Sequence, residues 1–429
     1  MHDFIHRNFK GDPIIWIVLL LLMLISAVEM YSASSTLAFR QTDFILPVWR
    51  HIMFLGAGFC IVFVVHLLPY RIFPLCGGLL LPFSLVLLVV TLMSGVSANN
   101  AARWLELGGF QFQPSEFAKL AVIVILAFLL GRRQEDGKTS DAVFPKCMAV
   151  IVVTCALIIL ENLSTSALIF FVGILMMFFG RVSHKRLLQT LAITITAGML
   201  LFFMVPYFAK TTVDENGMKK EVIEKPFHRF TTWHDRVERY FSGKKNIKSL
   251  KEFVANPDNY QEIHAKIAIA NSKGIGRGPG NSIERDFLPQ AYSDFIFAVI
   301  IEELGLLGGL IVMFLYLILL FRCGVIANKC QNAFPALLVL GLAGMIVTQA
   351  FLNMSVAVGL LPITGQTLPM ISRGGTSIIT TSICFGIILS VSRYVQGEGK
   401  EEEQEDEVEE EEYEDDEEYE EGLLAPIIN

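Results

Sequence analysis

The chain has 429 residues, 53% of them hydrophobic, with 33 phenylalanines and a mean hydropathy of +0.54. Its formal charge of −8 is set by a tail, Glu401 to Glu421, that holds 17 Asp and Glu, so the remainder carries about +9. Such a composition excludes an ordinary water-soluble enzyme and gives no nucleic-acid-binding pattern; it reads as an all-α integral membrane protein.

Apolar runs near 20 residues long, enough to cross ~30 Å of hydrocarbon at ~1.5 Å per residue, predict ten spans. They fall at 13–33, 48–68, 72–94, 114–131, 145–161, 163–180, 187–208, 293–321, 334–358 and 376–396. The run after Pro13 is too long for a signal peptide and no small-residue site closes it, so the first span reads as a retained anchor. Arg7, Lys10, Arg71, Arg132, Arg133, Lys138, Arg181, Lys185, Arg186, Arg322, Lys329 and Arg393 all fall on one side. By the positive-inside rule that side is cytoplasmic, with both termini on it. One large extracytoplasmic loop, about 209–292, then separates spans seven and eight.

This organisation predicts one membrane domain over 1–396 and an acidic cytoplasmic tail over 397–429. The tail is too charged and too poor in apolar residues to bury a core, so disorder is expected there. The seven cysteines lie in apolar runs or their short flanks without metal-ligand spacing, and read as small packing residues.

Polar residues interrupt the apolar pattern in a few places. In Asn99 to Leu120, Pro114 suits a first helical turn, Glu116 suits its positively polarised end, and Lys119 follows three residues later on the same face. The pair reads either as a self-neutralising packing device or as part of a site. Glu161 to Thr165 reads as a capped turn. Asn353 to Ser377, rich in Pro and Gly, predicts a broken or re-entrant segment of the kind tolerated only inside protein; it ends with Arg373. The run Gly274 to Gly280 lacks the strand and lysine of a phosphate loop and reads as a tight loop able to approach another backbone closely. After it, Asp294, Glu302 and Glu303 enter an apolar helix, where ionisable groups are expensive and mark functional sites by default. The large loop carries 15 Lys and Arg against 10 Asp and Glu between Lys210 and Arg285, which suits lipid headgroups or an anionic substrate equally.

Several motifs agree in order along the chain. They are Ala102-Arg103-Trp104 with Leu107-Gly108, Gln113 to Lys119, Lys266 to Ile269, Gly276 to Asn281, Leu288-Pro289, Ser293 to Ala298 with Glu302 to Gly305, Gly359 to Gly365, Leu368-Pro369, Ser372, and Gly374 to Ser377. On these residues the chain resembles the SEDS family of bacterial shape and division proteins, and Gly278 to Ser282 with Thr364 to Pro369 lean toward its division branch.

The resemblance implies a peptidoglycan glycosyltransferase that polymerises lipid II into glycan strands. Its partners would be a class B penicillin-binding protein, other division proteins and undecaprenyl-pyrophosphate-linked glycan. The place would be the bacterial inner membrane, at the septum. A carboxylate general base would activate the acceptor hydroxyl and cations would hold the departing pyrophosphate, with a divalent metal (Mg or Mn) left open as a cofactor. The family's usual acidic loop motif is altered here: the region reads Asn256-Pro-Asp-Asn-Tyr-Gln261 after an insertion. Asp258 is the first choice for the base, with Glu252 and Asp235 as alternatives. Arg103, Glu116, Lys119, Lys266, Asp294, Glu302 and Arg373 are the substrate-binding set the resemblance carries over. A lipid II flippase and a non-catalytic division scaffold are the competing readings; the altered loop favours the scaffold, and the outward clustering of polar residues favours the enzyme.

Overall fold

The computed structural model describes residues 9–38, 46–94, 96–98, 101–107, 110–132, 134–135, 138–139, 142–208, 210–213, 219–222, 233–234, 236–238, 240, 260–288 and 291–397. The acidic tail and the three candidate bases, Asp235, Glu252 and Asp258, lie outside the described residues.

Among the described residues, eleven α-helices of twelve residues or more carry the architecture. They are α1 (Pro13–Ala38), α2 (Leu46–Val65), α3 (Phe73–Ser94), α4 (Pro114–Arg132), α5 (Phe144–Ile159), α6 (Leu163–Phe179) and α7 (His184–Phe208). After the large loop come α8 (Tyr260–Asn271), α9 (Ile296–Lys329), α10 (Ala333–Ala357) and α11 (Gly375–Val395). Eight of these are long and apolar enough to cross a membrane, and α5 and α6 are shorter apolar helices. The ten-span reading is thus met helix for helix, with α8 as the one amphipathic addition. The tight fifth-to-sixth boundary is held by Asn162, whose side chain accepts the Thr165 N–H at 3.2 Å as a helix N-cap.

Burial ranks the helices. α4, α10 and α11 are mostly inside, whereas α7 shows almost its whole surface outward. α4 packs against α3, α6 and α10; α9 lies along α10; α11 lies along α2. A three-stranded antiparallel sheet in the order β1 (Val96–Ala98), β2 (Ala101–Leu107), β3 (Phe110–Phe112) bridges α3 and α4 and carries Arg103.

Between α10 and α11 the chain runs without helix from 358 to 374, the broken segment the sequence predicts. Backbone inside a helical bundle must find partners within the protein. Here Gln349 and Asn353 of α10 supply them: Gln349 Nε2 donates to the Thr367 carbonyl (3.0 Å), and Asn353 Nδ2 donates to the Gln366 carbonyl (2.7 Å).

α9 is broken at Gly305, which sits at φ 73°, ψ −175°. The groups this frees are taken by the loop before it: Arg277 N–H donates to the Glu302 carbonyl (2.9 Å), Gly278 N–H to that of Glu303 (2.8 Å), and Leu306 N–H to that of Gly274 (3.0 Å). The two backbones are so close that a Cβ on Gly276 would stand 2.4 Å from the Glu303 carbonyl oxygen, and one on Gly305 2.5 Å from that of Ile275. Only glycine fits either place.

Candidate active site

The site is built in two layers, a buried polar core below and a charged mouth above. The core begins where α4 enters the bundle. Glu116 and Lys119, one turn apart, form an ion pair at 2.8 Å, with Lys119 only 2% exposed. Lys119 Nζ also donates to Gln349 Oε1 (2.7 Å), and Thr380 Oγ1 on α11 donates to Glu116 Oε2 at 3.4 Å. Gln349 continues to Thr367, whose hydroxyl meets that of Ser377 at 3.1 Å. A second rung joins Asn353, Gln366 and Thr165, with Gln366 Nε2 donating to Thr165 Oγ1 at 3.0 Å. Each ion in this core has a partner, as a buried charge requires.

This core is packed, not open. A cavity of about 20 Å³ borders it between Arg103, Gln113, Ser115 and Glu161. Another, of about 10 Å³, lies beneath Lys119 among Val122, Ile123 and Leu126. These spaces are of water size. The sequence reading places Glu116 and Lys119 along a substrate cavity; in the structure the two are buried and paired with each other, with only these water-sized spaces beside them among the described residues.

The mouth is formed by the 359–365 stretch and what meets it. A Cβ on Gly365 (φ +67°) would lie 3.5 Å from Asp294 Oδ2 and 3.7 Å from Arg103 Nη1, so carboxylate and guanidinium face one another across this glycine. Asp294 accepts from Ser293 Oγ (2.9 Å) and its backbone carbonyl accepts from Asn353 Nδ2 (2.9 Å). Arg103 Nε donates to the Glu161 carbonyl (3.1 Å), which fixes it from the β2 side. Arg236, from the large loop, donates to the Ile363 carbonyl (3.0 Å), and Tyr240 to that of Leu360 (2.6 Å). Lys266 on α8 lies against Gly359 and pairs with Glu262. Three cations and two carboxylates, Asp294 and the Lys266-paired Glu262, therefore converge on seven residues of backbone.

Burial raises the pKa of Asp294 above the usual carboxylate value; the Ser293 hydrogen bond and the charges of Arg103 and Arg236 act against that rise. Its proton is consequently held to higher pH than that of an exposed aspartate.

Two other candidates stand elsewhere. Arg373 lies over the ring of Tyr292 (5.1 Å to the centroid) and donates its backbone N–H to the Tyr292 carbonyl. Burial lowers its pKa. Glu302, fully buried, accepts from Ser282 Oγ (2.5 Å) and from the N–H groups of Ile283 and Glu284. It holds the 276–284 loop to α9 and does not face the mouth with Asp294.

The residues of the mouth can now be set beside known proteins. The profile of the FtsW/RodA/SpoVE family, described as cell cycle protein, matches residues 12–397. The chain belongs to this family. A Bacillus subtilis protein named "Probable peptidoglycan glycosyltransferase FtsW" is 31% identical over 380 residues, spanning 87% of this chain and 85% of that protein. A Saccharophagus degradans protein of the same name is 33% identical over 88% of this chain and 92% of its own length. Stage V sporulation protein E of Bacillus subtilis is 29% identical over 90% and 98% respectively. Among solved structures, one of a peptidoglycan synthase complex matches with a TM-score of 0.66 at 24% identity, covering 90% of this chain and 98% of its own. Thermus thermophilus rod shape determining protein RodA matches with a TM-score of 0.59 at 24% identity, covering 89% and 97%.

Within this FtsW/RodA/SpoVE member, sequence reasoning did not single out Gln349, Arg236 or Tyr240, and it read Thr165 and Gln366 only as parts of the 161–165 turn and the 353–377 segment. Gln349 had a signal: with Asn353 it forms an i, i+4 polar pair in an otherwise apolar span. Arg236 and Tyr240 had none, since nothing local distinguishes them from the other charged and aromatic residues of a basic loop.

Proposed function

We propose that the protein is a peptidoglycan glycosyltransferase of the division type, polymerising lipid II at the outer surface of the bacterial inner membrane with both termini in the cytoplasm. Relatives bearing the glycosyltransferase name match it at 31–33% identity over most of both chains. The observation that carries the mechanistic reading is the mouth itself: Asp294, Arg103, Arg236 and Lys266 gathered on the 359–365 backbone at one end of a bundle of membrane-length helices. Lipid-anchored, doubly charged pyrophosphates need cations at a bilayer surface, and cations at the end of membrane-length helices suit that need.

In this reading the growing strand on undecaprenyl pyrophosphate is the donor and the 4-hydroxyl of the GlcNAc of lipid II is the acceptor. A loop carboxylate, Asp258 first and Glu252 or Asp235 after it, takes the acceptor proton as the new C–O bond forms at the anomeric carbon with inversion. The bond to the pyrophosphate breaks, and Arg103, Lys266 and Arg236 stabilise the negative charge that leaves with it. Asp294 orients the guanidiniums; Glu116 and Lys119 hold the floor rigid beneath them. Arg373 would serve a second contact on the Tyr292 side. Of the two carboxylates among the described residues of the mouth, Asp294 accepts from Ser293 and Glu262 is paired with Lys266; among cations this is a poor set for Mg or Mn, which prefer several oxygen donors, so no step is routed through a metal.

The flippase reading fares worse on one point. Below Lys119 the small cavity is lined by aliphatic side chains, Val122, Ile123, Leu126, Leu168 and Val172 among them, which gives a charged headgroup no polar partner at that point. A class B penicillin-binding protein is the partner proposed for crosslinking, by likeness to the synthase complex.

The test is polymerisation of purified lipid II by the protein with that partner, comparing wild type with Asp258→Ala, Glu252→Ala, Asp235→Ala and Asp294→Ala. Loss in one loop variant, with expression and partner binding intact, names the base. Full activity in all four would overturn the mechanism, and an inactive wild type would favour the scaffold.

A further inference from the structure

At the end of the bundle opposite the mouth, α4, α10 and the short turn before α3 enclose a cleft of about 370 Å³. Its walls include Tyr70, Arg71, Phe128, Arg132, Asn332 and Phe334. The cleft owes its floor to Gly131, where a Cβ would come within 2.7 Å of the Phe334 backbone, so α4 and α10 touch main chain to main chain. Above that contact the aromatic rings spread: Phe128 and Tyr70 each stand 6.3 Å from Phe334, and the Arg132 guanidinium lies over Phe128 at 5.6 Å. Arg71 and Arg132 are both exposed, and Arg132 makes no ion pair among the described residues. The catalytic reading has no use for this cleft.

The last helix ends at its rim. Ser390 Oγ donates to the Leu68 carbonyl (2.6 Å) and Arg393 to that of Leu67 (3.0 Å), pinning the final turns of α11 to the turn that carries Tyr70 and Arg71. Tyr394 then packs on Tyr70 with ring centroids 4.6 Å apart. From here the chain continues into Glu401 to Glu421, 17 of whose residues are Asp or Glu, interleaved with Tyr413 and Tyr419. The five Cα–Cα steps from Gln396 to Glu401 span up to ~17 Å when extended, more than enough to reach a cleft that begins one ring away.

We propose that this cleft is the docking site of the chain's own acidic tail, residues 401–421, with glutamates against Arg71 and Arg132 and a tyrosine among the aromatic walls. Charge sign, the aromatic residues on both sides and the point where α11 ends all favour this occupant. Tethering raises the tail's local concentration there to the millimolar range, so weak exposed ion pairs suffice to hold it. Docking covers the two arginines and keeps the tail from partners; release exposes both at once.

The experiment uses the full-length protein in nanodiscs with Asn332→p-benzoylphenylalanine, irradiated and digested for mass spectrometry. The expected product joins position 332 to peptides from 401–421, with a yield that falls in high salt. In an Arg71→Glu/Arg132→Glu background the yield drops about fivefold, the scale of two lost surface ion pairs, whereas Arg71→Lys/Arg132→Lys retains it and reports an intact fold. A mixture of isotope-labelled and unlabelled protein identifies the source of the tail. Cross-links only to lipid, only to another segment, or only between copies would overturn the proposal, as would a yield indifferent to charge reversal.

Discussion

Asp294 and Arg103 meet at Gly365, where Oδ2 of the one and Nη1 of the other lie 3.5 and 3.7 Å from the position a Cβ would take, so the residues ahead of α9, the β2 strand and the segment after α10 come together there. No side chain separates them, and Gly365 adopts a left-handed φ of +67° that an L-residue resists. Gly365→Ala adds a methyl within 3.5–3.7 Å of both charged groups and strains the backbone. The expected result is a fall in lipid II polymerisation of about 10- to 100-fold, the scale of a misplacement near 1 Å, with helix content and melting changed little. A steady-state assay with circular dichroism checks it, and unaltered turnover would dissolve the link between the mouth and the chemistry.

The same pair makes a pH prediction. Burial holds Asp294's pKa above that of a free carboxylate, and Arg103 pulls it back toward the usual range. If the ionised carboxylate orients the cations, activity is lost as pH falls through this raised value. Arg103→Gln removes a counter-charge, so the pKa climbs further and the acid limb moves to higher pH. Asp294→Asn removes Asp294's contribution to that limb along with much of the rate. The pH dependence of kcat/KM in the three proteins decides this; an acid limb unmoved by Arg103→Gln would assign it to another group.

Below the mouth, Glu116 and Lys119 are each other's main electrostatic partner in a dry environment. Glu116→Ala or Lys119→Ala alone leaves a buried charge uncompensated and should destabilise by about 3–5 kcal/mol. The double variant Glu116→Leu/Lys119→Met removes both charges and should recover much of that stability while turnover stays low, because Gln349 loses its donor and the 365–367 backbone its support. Denaturant titration in detergent separates the cases. Equal stability in all three would mean that water reaches the pair.

How much of this was legible beforehand depends on range in sequence. The ten spans, the α5–α6 turn and the non-helical stretch between α10 and α11 follow from hydropathy, capping and Pro/Gly placement, which are local. Glu116 with Lys119 was readable as a pair because they stand only three positions apart. The meeting of Arg103, Asp294 and Gly365 was not, since the first two are 191 positions apart and the spacing carries no period. Glu302 shows what sequence leaves open. An acid in an apolar helix is flagged as functional by its cost alone, and only the three-dimensional course of the 276–284 loop reveals that its oxygens are already engaged. The altered loop motif around Asp258 falls outside the described residues, so the choice among the candidate bases rests on sequence.

Glu303 offers the sharpest stability test of that loop. Its carboxylate accepts the N–H of Gly280 (2.7 Å) and of Ser282 (3.2 Å) and also the hydroxyl of Ser32 on α1, tying loop, broken helix and first helix together. Arg285 closes the ring by donating to the Ser32 carbonyl (3.0 Å) and to that of Gly280 (2.8 Å). Glu303→Ala leaves the buried N–H of Ser282 and the half-buried N–H of Gly280 without an acceptor, at up to about 1–3 kcal/mol each. The loop, not the bundle, should bear that cost, because the α9 break is already stitched by main-chain bonds from Arg277 and Gly278. Hydrogen exchange should therefore quicken over 276–286 and at the start of α9 while α4 and α10 stay protected. Glu303→Gln, which keeps one acceptor oxygen, should fall between wild type and alanine. If alanine instead loosened α4 and α10 to the same degree, the carboxylate would be holding the whole bundle and the loop-clamp account would fail.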